Sequence, residues 1–181
     1  MSEKYKFNDP QGIYFITSTI VEWIDLFTRK ELRHIILDSL KYCQQKKGLI
    51  IHAWCLMPSH LHMIISSDDI VLSDILRDFK KYTNKEIIKA INEIGESRRD
   101  WLLKSFSQSA DRLKRIKKYK VWQDGNHPKQ LLTNQFMQQK LDYIHQNPVS
   151  DEIVDHEAAY IYSSARDYCG RKGLLEIAFL D

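Results

Sequence analysis

The first part of the chain alternates between apolar runs typical of strands and a periodic segment typical of a helix. Residues 13–21 are rich in β-branched and aromatic side chains and predict the first strand. Thr28 and Glu31 have the spacing of a capping box, and apolar residues then recur at helical intervals up to a stop at Gly48. Residues 49–57 form a nearly continuous apolar run, as in a strand that is buried on both faces. The pattern predicts strand, helix and strand.

A proline–serine pair follows this second strand and predicts a tight turn, so that the next apolar run folds back as a hairpin. Side chains alternate between the faces of a strand, which places His60 and His62 on one side and Leu61 in the core. Two imidazoles on one rigid face can hold a catalytic ion or a zinc ion, and they can also be ordinary hydrogen-bonded histidines. The pair alone leaves these alternatives open.

Helical periodicity dominates the second part of the chain. It predicts a helix from Ser73 to Gly95 and a further helix over residues 98–110. A strand at residues 119–123 and a returning strand at residues 127–132 are predicted as a hairpin, because an Asp-Gly-Asn turn separates them. Thr133 is then placed to cap a last helix.

In that last helix Tyr143 and Asn147 are four residues apart and therefore share a face. Asn147 precedes a proline, which disfavours the α conformation, so the helix is expected to end there. Taken alone, Tyr143 is more often a surface or core tyrosine than a nucleophile, and Asn147 more often a residue of a helix-ending turn.

Strands and helices are mixed without a regular βαβ repeat, and we therefore predict an α+β fold. The expected architecture is an antiparallel sheet of about four to five strands packed with α-helices. No repeat, low-complexity tract or interdomain linker is visible, so we expect a single domain over residues 1–181 with a C-terminal extension from about residue 149.

Composition restricts the setting more than the function. No segment approaches the ~20 apolar residues that span a bilayer, and the first residues resemble no secretory signal, so the cytoplasm is the expected location. The three cysteines are odd in number and lack paired spacing, which disfavours a disulfide framework or a cysteine zinc site. The chain has only six glycines and no glycine-rich phosphate loop, which is consistent with a protein that uses no nucleotide cofactor.

Positive charge is concentrated in one short segment, although the net charge is only +3. Its cations are Arg112, Lys114, Arg115, Lys117, Lys118 and Lys120, with Trp122 beside them. Such a segment can neutralise phosphates while an aromatic ring stacks on an unpaired base. A solvated lysine-rich face or a mobile loop is the other interpretation.

Three segments together resemble the HUH-superfamily transposases with one catalytic tyrosine, in the branch associated with repetitive extragenic palindromes within the IS200-like family. They are residues 57–62, 143–149 and 162–170, and the resemblance covers roughly residues 11–170. Ser59 departs from the family, in which asparagine is more common at this position. Autonomous insertion-sequence enzymes more often have glutamine in place of Asn147 and lack the C-terminal segment.

This resemblance implies a ferredoxin-like variant with the histidines on a central strand and the catalytic tyrosine on a helix. It implies that Tyr143 is the nucleophile and that His60, His62 and Asn147 hold a divalent ion, Mg²⁺ or Mn²⁺. The implied activity is sequence-selective cleavage and joining of single-stranded DNA near palindromic hairpins through a covalent 5′-phosphotyrosine. Rival possibilities are a catalytically silent hairpin-binding protein and the transposase of an autonomous insertion sequence.

Two further residues are weaker candidates, and the oligomeric state stays open. His145 is adjacent to the nucleophile and could support the metal ligands from outside, although neighbours on a helix do not share a face. Arg166 is the best phosphate-binding candidate in the C-terminal segment, where packing against the sheet is the alternative. A monomer and a homodimer are both compatible with the family.

Overall fold

The structure, a computed structural model, describes residues 7–68, 70–111 and 118–180. Its helices and strands follow one another in this order: β1 (Tyr14–Thr19), α1 (Lys30–Lys47), β2 (Leu49–Leu56), β3 (His60–Ser67), α2 (Leu72–Glu93), α3 (Arg99–Asp111), β4 (Lys129–Gln130), α4 (Asn134–Ser150) and α5 (Ala165–Tyr168). Short 3₁₀ turns occupy Val21–Trp23 and Glu157–Ala159. Within these described ranges, no helix has the length and apolar character needed to cross a membrane.

The four strands form one antiparallel sheet in the order β2-β3-β1-β4. Every residue of β3 is buried, because this strand is flanked by β2 and β1 and both of its faces are covered. The predicted α+β class is confirmed, as are the strand number and the placement of the histidines on a central strand.

Helices cover the sheet. α4 packs on β2 and β3, while α1 contacts β2 and also packs against α2. Gly48 ends α1 in the left-handed conformation, with a φ of 64°, as its position in the sequence predicted. The predicted capping box is wrong, because α1 begins at Lys30 and Arg29 makes no side-chain cap. The Thr28 hydroxyl instead accepts a hydrogen bond from Arg98.

The predicted hairpin between residues 119–123 and 127–132 is also wrong. The first segment makes only an isolated bridge, between Trp122 and Ile20, and the second contributes the two-residue strand β4, which pairs with β1. Both segments are thus attached to β1 and its extension rather than to each other. The turn between them bonds to β1 as well, through Thr17 N–H and the carbonyl of Asn126.

The tyrosine helix begins as predicted but ends later. The Thr133 hydroxyl accepts a hydrogen bond from the backbone N–H of Phe136, which confirms the cap. Pro148 does not end the helix, which continues to Ser150. A proline so close to a C-terminus costs one backbone hydrogen bond, and the chain then closes with Glu152 in the left-handed region at a φ of 56°.

The C-terminal segment covers the outer edge of the sheet at β2. Residue Ser163 forms a bridge with Cys55, and further along the chain Ala178 N–H donates to the carbonyl of Ile51. An edge strand left bare would offer unpaired backbone groups to other chains, so this cover protects the sheet.

Candidate active site

The histidine pair lies on β3, directly opposite β1. His60 is paired in register with Thr19 and His62 with Thr17. The centroids of the two imidazole rings are 4.6 Å apart, and the residues are only 9% and 4% exposed. Because residues two apart on a strand share a face, this arrangement follows from the sequence pattern itself.

His62 has a ring nitrogen that is available to a ligand. Its Nδ1 atom lies 2.8 Å from the Thr17 hydroxyl, whereas its Nε2 atom is buried and has no hydrogen-bond partner within the described residues. Burial, together with the charges of His60 and Lys140, lowers the pKa of His62 to about 3, which keeps the imidazole neutral. With a proton on Nδ1 directed at Thr17, Nε2 presents the lone pair that a metal ion requires.

His60 and Asn147 complete the donor set. The Nδ1 atom of His60 lies 3.1 Å from the Ser59 hydroxyl. Burial lowers the pKa of His60, while a hydrogen bond with the Asn147 side chain acts in the opposite direction. The Asn147 amide nitrogen donates to the carbonyl of Tyr143 over 2.9 Å, so its amide oxygen is the atom that meets His60, and an ion bound between them would replace that hydrogen bond. Two neutral imidazoles and this oxygen fit a divalent ion such as Mg²⁺ or Mn²⁺.

This donor set depends on the amide. The described residues contain no cluster of three histidine, cysteine, aspartate or glutamate side chains that could hold a metal ion. Asn147 is the residue that the sequence predicted as the third protein ligand, and the substrate or water would fill the remaining positions.

Tyr143 lies on α4 beside the pair, in the same chain. The centroid of its ring is 5.2 Å from that of His62 and 6.0 Å from that of Phe15, in edge-to-face contacts. The residue is 48% exposed. The phenol thus has the histidines on one side and solvent, where a nucleic acid strand can approach, on the other.

Lys140 is a residue of the site that the sequence analysis missed. Its ammonium lies over the rings of Phe15, Tyr143 and Phe136, at 5.1, 5.3 and 5.5 Å from their centroids. Burial and then the charge of Lys129 lower its pKa. The sequence signal was present, because the 3-residue spacing from Lys140 to Tyr143 places both on one helix face. The cation favours an anionic group next to the tyrosine.

Trp23 was missed as well. It follows β1 in the 3₁₀ turn, is 59% exposed, and its ring centroid is 5.6 Å from that of His60. No periodic pattern marks this residue, because it belongs to a turn.

The predicted DNA-contacting residues differ in their exposure. Trp122 is only 4% exposed, packs on Phe27 and Phe79, and donates its indole N–H to Thr83, so the prediction that it stacks on bases is wrong. Lys118 is exposed, and the Lys120 ammonium pairs with Asp124 over 2.7 Å. The other four predicted cations, Arg112, Lys114, Arg115 and Lys117, lie outside the described residues.

His145 and Arg166 lie on the C-terminal side of the molecule. The Nε2 atom of His145 is 2.9 Å from the Ser164 hydroxyl, and its ring contacts Tyr168. This histidine therefore joins α4 to the C-terminal segment, and its described contacts are with that segment instead of with the predicted metal ligands. Arg166 is half-buried on α5, and its Nε atom has no hydrogen-bond partner among the described residues.

An antiparallel sheet with a histidine pair on a central strand, beside a tyrosine on a packed helix, is the arrangement expected of a single-tyrosine transposase. Residues 24–147 match the model of the family described as "Transposase IS200 like". This chain belongs to the IS200-like transposase family.

Two solved structures extend the comparison. A REP-associated tyrosine transposase bound to a REP hairpin superposes with a TM-score of 0.61 at 21% identity, over 100% of this chain and 94% of that chain, which shows a shared fold. A putative transposase from Deinococcus radiodurans R1 gives a TM-score of 0.45 at 12% identity, over 80% of this chain and 95% of that one, a likeness too weak to establish a common fold. No curated protein matches the chain.

Proposed function

We propose that this transposase-family protein is a metal-dependent endonuclease and strand transferase for single-stranded DNA, with Tyr143 as its nucleophile. The observation that carries the proposal is the contact of Tyr143 with His62, whose ring centroids are 5.2 Å apart, beside a buried Nε2 atom without a described partner. A structural histidine would be expected to use both ring nitrogens, whereas a ligand keeps one free.

His60, His62 and Asn147 would hold the divalent ion. When bound, the ion would withdraw charge from a non-bridging oxygen of the phosphodiester, which otherwise repels a nucleophile. Thr17 and Ser59 orient the two imidazoles through their Nδ1 atoms. Together these residues fix the phosphate relative to the tyrosine.

Tyr143 performs the covalent step in this proposal. Its phenolic oxygen forms a bond to phosphorus as the bond from phosphorus to the 3′ oxygen breaks. The phenol gives up its proton and the departing 3′ oxygen takes one up, leaving a 5′-phosphotyrosine and a free 3′-hydroxyl. The reverse reaction with another 3′-hydroxyl joins strands, so no nucleotide cofactor is needed.

The proposed substrate is a single strand that carries palindromic hairpins. The solved transposase that shares this fold is bound to a REP hairpin, and this supports the choice of ligand. Asn147 in place of glutamine and the segment at residues 162–170 further favour the palindrome-associated branch over autonomous insertion sequences. Lys140 supplies positive charge beside the tyrosine, where the backbone of such a strand would pass.

The test uses labelled single strands with hairpins from the flanks of the native gene, with Mg²⁺, Mn²⁺ or EDTA. We expect wild-type protein to form a denaturation-resistant adduct that needs the metal, visible by denaturing electrophoresis. Tyr143→Phe should bind the strand but form no adduct, because it lacks the nucleophilic oxygen.

Tyr82→Phe is the matched control, since Tyr82 is 56% exposed on α2 and is not part of the site. It should form the adduct like wild type. Hairpin binding by wild type without cleavage under any of these conditions would instead identify a catalytically silent hairpin-binding protein.

A further inference from the structure

The turn after β1 has an unusual backbone. Glu22 and Trp23 are consecutive residues with positive φ angles, 56° and 55°, although neither is glycine. Side chains with a Cβ atom adopt this region rarely, and for a bulky residue such as tryptophan it is a genuine outlier. Such strain persists only where the surrounding structure holds it, and it is concentrated at functional sites.

The surroundings hold this turn firmly. Val21 and Ile24, on either side of the two strained residues, are each only 5% exposed. The Val21 N–H donates to the carbonyl of Val121, and the Trp23 N–H donates to the carbonyl of Ile20. The anchors are buried, so the backbone is fixed while Glu22 and Trp23 face solvent.

The strained backbone places the indole beside the histidine pair, His60 and His62. Trp23 is 59% exposed, and its ring centroid is 5.6 Å from that of His60 at an interplanar angle of 72°. Tyr143 contacts the other histidine, His62. The open indole and the tyrosine therefore contact different members of the pair.

We propose that Trp23 is a base-stacking residue, whose indole receives an unpaired nucleobase adjacent to the phosphate that Tyr143 attacks. An exposed indole offers a large aromatic face, and any base can stack on such a face. The stacked base fixes the register of the strand over the histidines. This inference rests on the proposed function, because it assigns a substrate contact in the same site.

The competing role is structural. In that case the indole only shields His60 and holds its ring. The two roles predict different behaviour of a variant without the indole. Its loss of DNA affinity depends on the presence of one particular base only if the indole stacks on that base.

The experiment combines protein variants with strands that lack single bases. The probe is the hairpin-bearing single strand from the native gene's flank, intact or with one abasic position at each site around the cleaved bond. Binding is measured for wild type, Trp23→Asn, Trp23→Phe and the control Trp101→Ala. Asparagine tolerates the left-handed conformation, so Trp23→Asn removes the ring without adding backbone strain. Trp101 is 52% exposed on α3.

Wild type should lose roughly 5- to 100-fold in affinity at one abasic position next to the cleaved bond. Trp23→Asn should bind the intact strand more weakly by a similar factor and be insensitive to that abasic position, with an unfolding temperature no lower than that of wild type. Trp23→Phe should keep part of the wild-type sensitivity to that abasic position, and Trp101→Ala should keep all of it.

Equal losses for wild type and Trp23→Asn at every abasic position would overturn the inference while leaving the proposed function intact. Failure of wild type to bind or cut any of the strands would overturn the proposed function itself.

Discussion

His62 is the residue whose surroundings say most about the chemistry. A buried imidazole normally pays for its burial by hydrogen-bonding through both nitrogens, yet here only Nδ1 has a described partner, Thr17. Its depressed pKa keeps the ring unprotonated at neutral pH, so the ring carries no charge that would repel a cation. We therefore predict that Thr17 is a positioning residue, since its hydroxyl bonds to Nδ1 and leaves Nε2 without a partner among the described residues.

Thr17→Val tests this role. Valine has the shape of threonine but no hydroxyl that can hydrogen-bond Nδ1, so the ring loses the contact that orients it. We expect Mn²⁺ affinity, measured by calorimetric titration, to fall roughly 10- to 100-fold. Thr17→Ser, which retains the hydroxyl, should stay close to wild type.

Thr28→Val is the matched control, because its hydroxyl bonds to Arg98 away from the histidines. Unchanged Mn²⁺ affinity in Thr17→Val would show that the threonine does not orient the ligand.

At the scale of elements, periodicity predicted which residues share one face of a strand or helix. The period of a strand placed His60 and His62 on one face, and the period of a helix placed Tyr143 and Asn147 together. Those two local rules account for most of the candidate site. The packing of α4 on β3 is a tertiary contact that local periodicity cannot predict. Only the family resemblance implied it.

Elements that lack a period were predicted poorly. Residues 119–132 contain a strong turn signal, but their β-bridges are made with β1 and its extension, because pairing with an existing sheet buries more than an isolated hairpin does. Trp122 was also misinterpreted. The nearby lysines suggested an exposed segment, whereas the indole is buried in the core. Trp23 gave no signal because its position depends on strained backbone.

The junction between α4 and the C-terminal segment should be sensitive to acid through His145. Burial lowers the pKa of His145 to about 4, with smaller opposing effects of Glu157 and Asp142. An unfolded histidine titrates near ~6.5, so the unfolded chain binds more protons below that pH and stability falls as pH decreases from 6.5 towards 4.

Between pH 7 and pH 5 this linkage amounts to about 2 kcal/mol of unfolding free energy. His145→Gln can still bond to Ser164 but does not titrate, so wild type should lose about 2 kcal/mol more than this variant over the interval. Denaturant unfolding at the two pH values measures the difference, and His34→Gln on the exposed side of α1 is the matched substitution. Parallel losses in wild type and His145→Gln would contradict the linkage.

For the whole molecule, the important feature is that Tyr143 and the histidine pair come together within a single chain. Only residues 131–133 connect β4 to α4, and β4 is paired with β1 of the same sheet. Tyr143 contacts His62 of the same chain. This contact favours a tyrosine that acts with the histidines of its own chain.

A complementation experiment tests this arrangement, which predicts that the protein acts as a monomer. His62→Ala lacks a ligand and Tyr143→Phe lacks the nucleophile, so each variant alone should form no adduct with the hairpin strand. Their mixture should also be inactive, because no single chain possesses both groups and the tyrosine is expected to act with the histidines of its own chain. Recovery of adduct in the mixture would show that the tyrosine acts with the histidines of a partner chain.

Sedimentation velocity at the concentration used for cleavage measures the mass of the protein independently. A single monomeric species that cleaves DNA would establish catalysis within one chain.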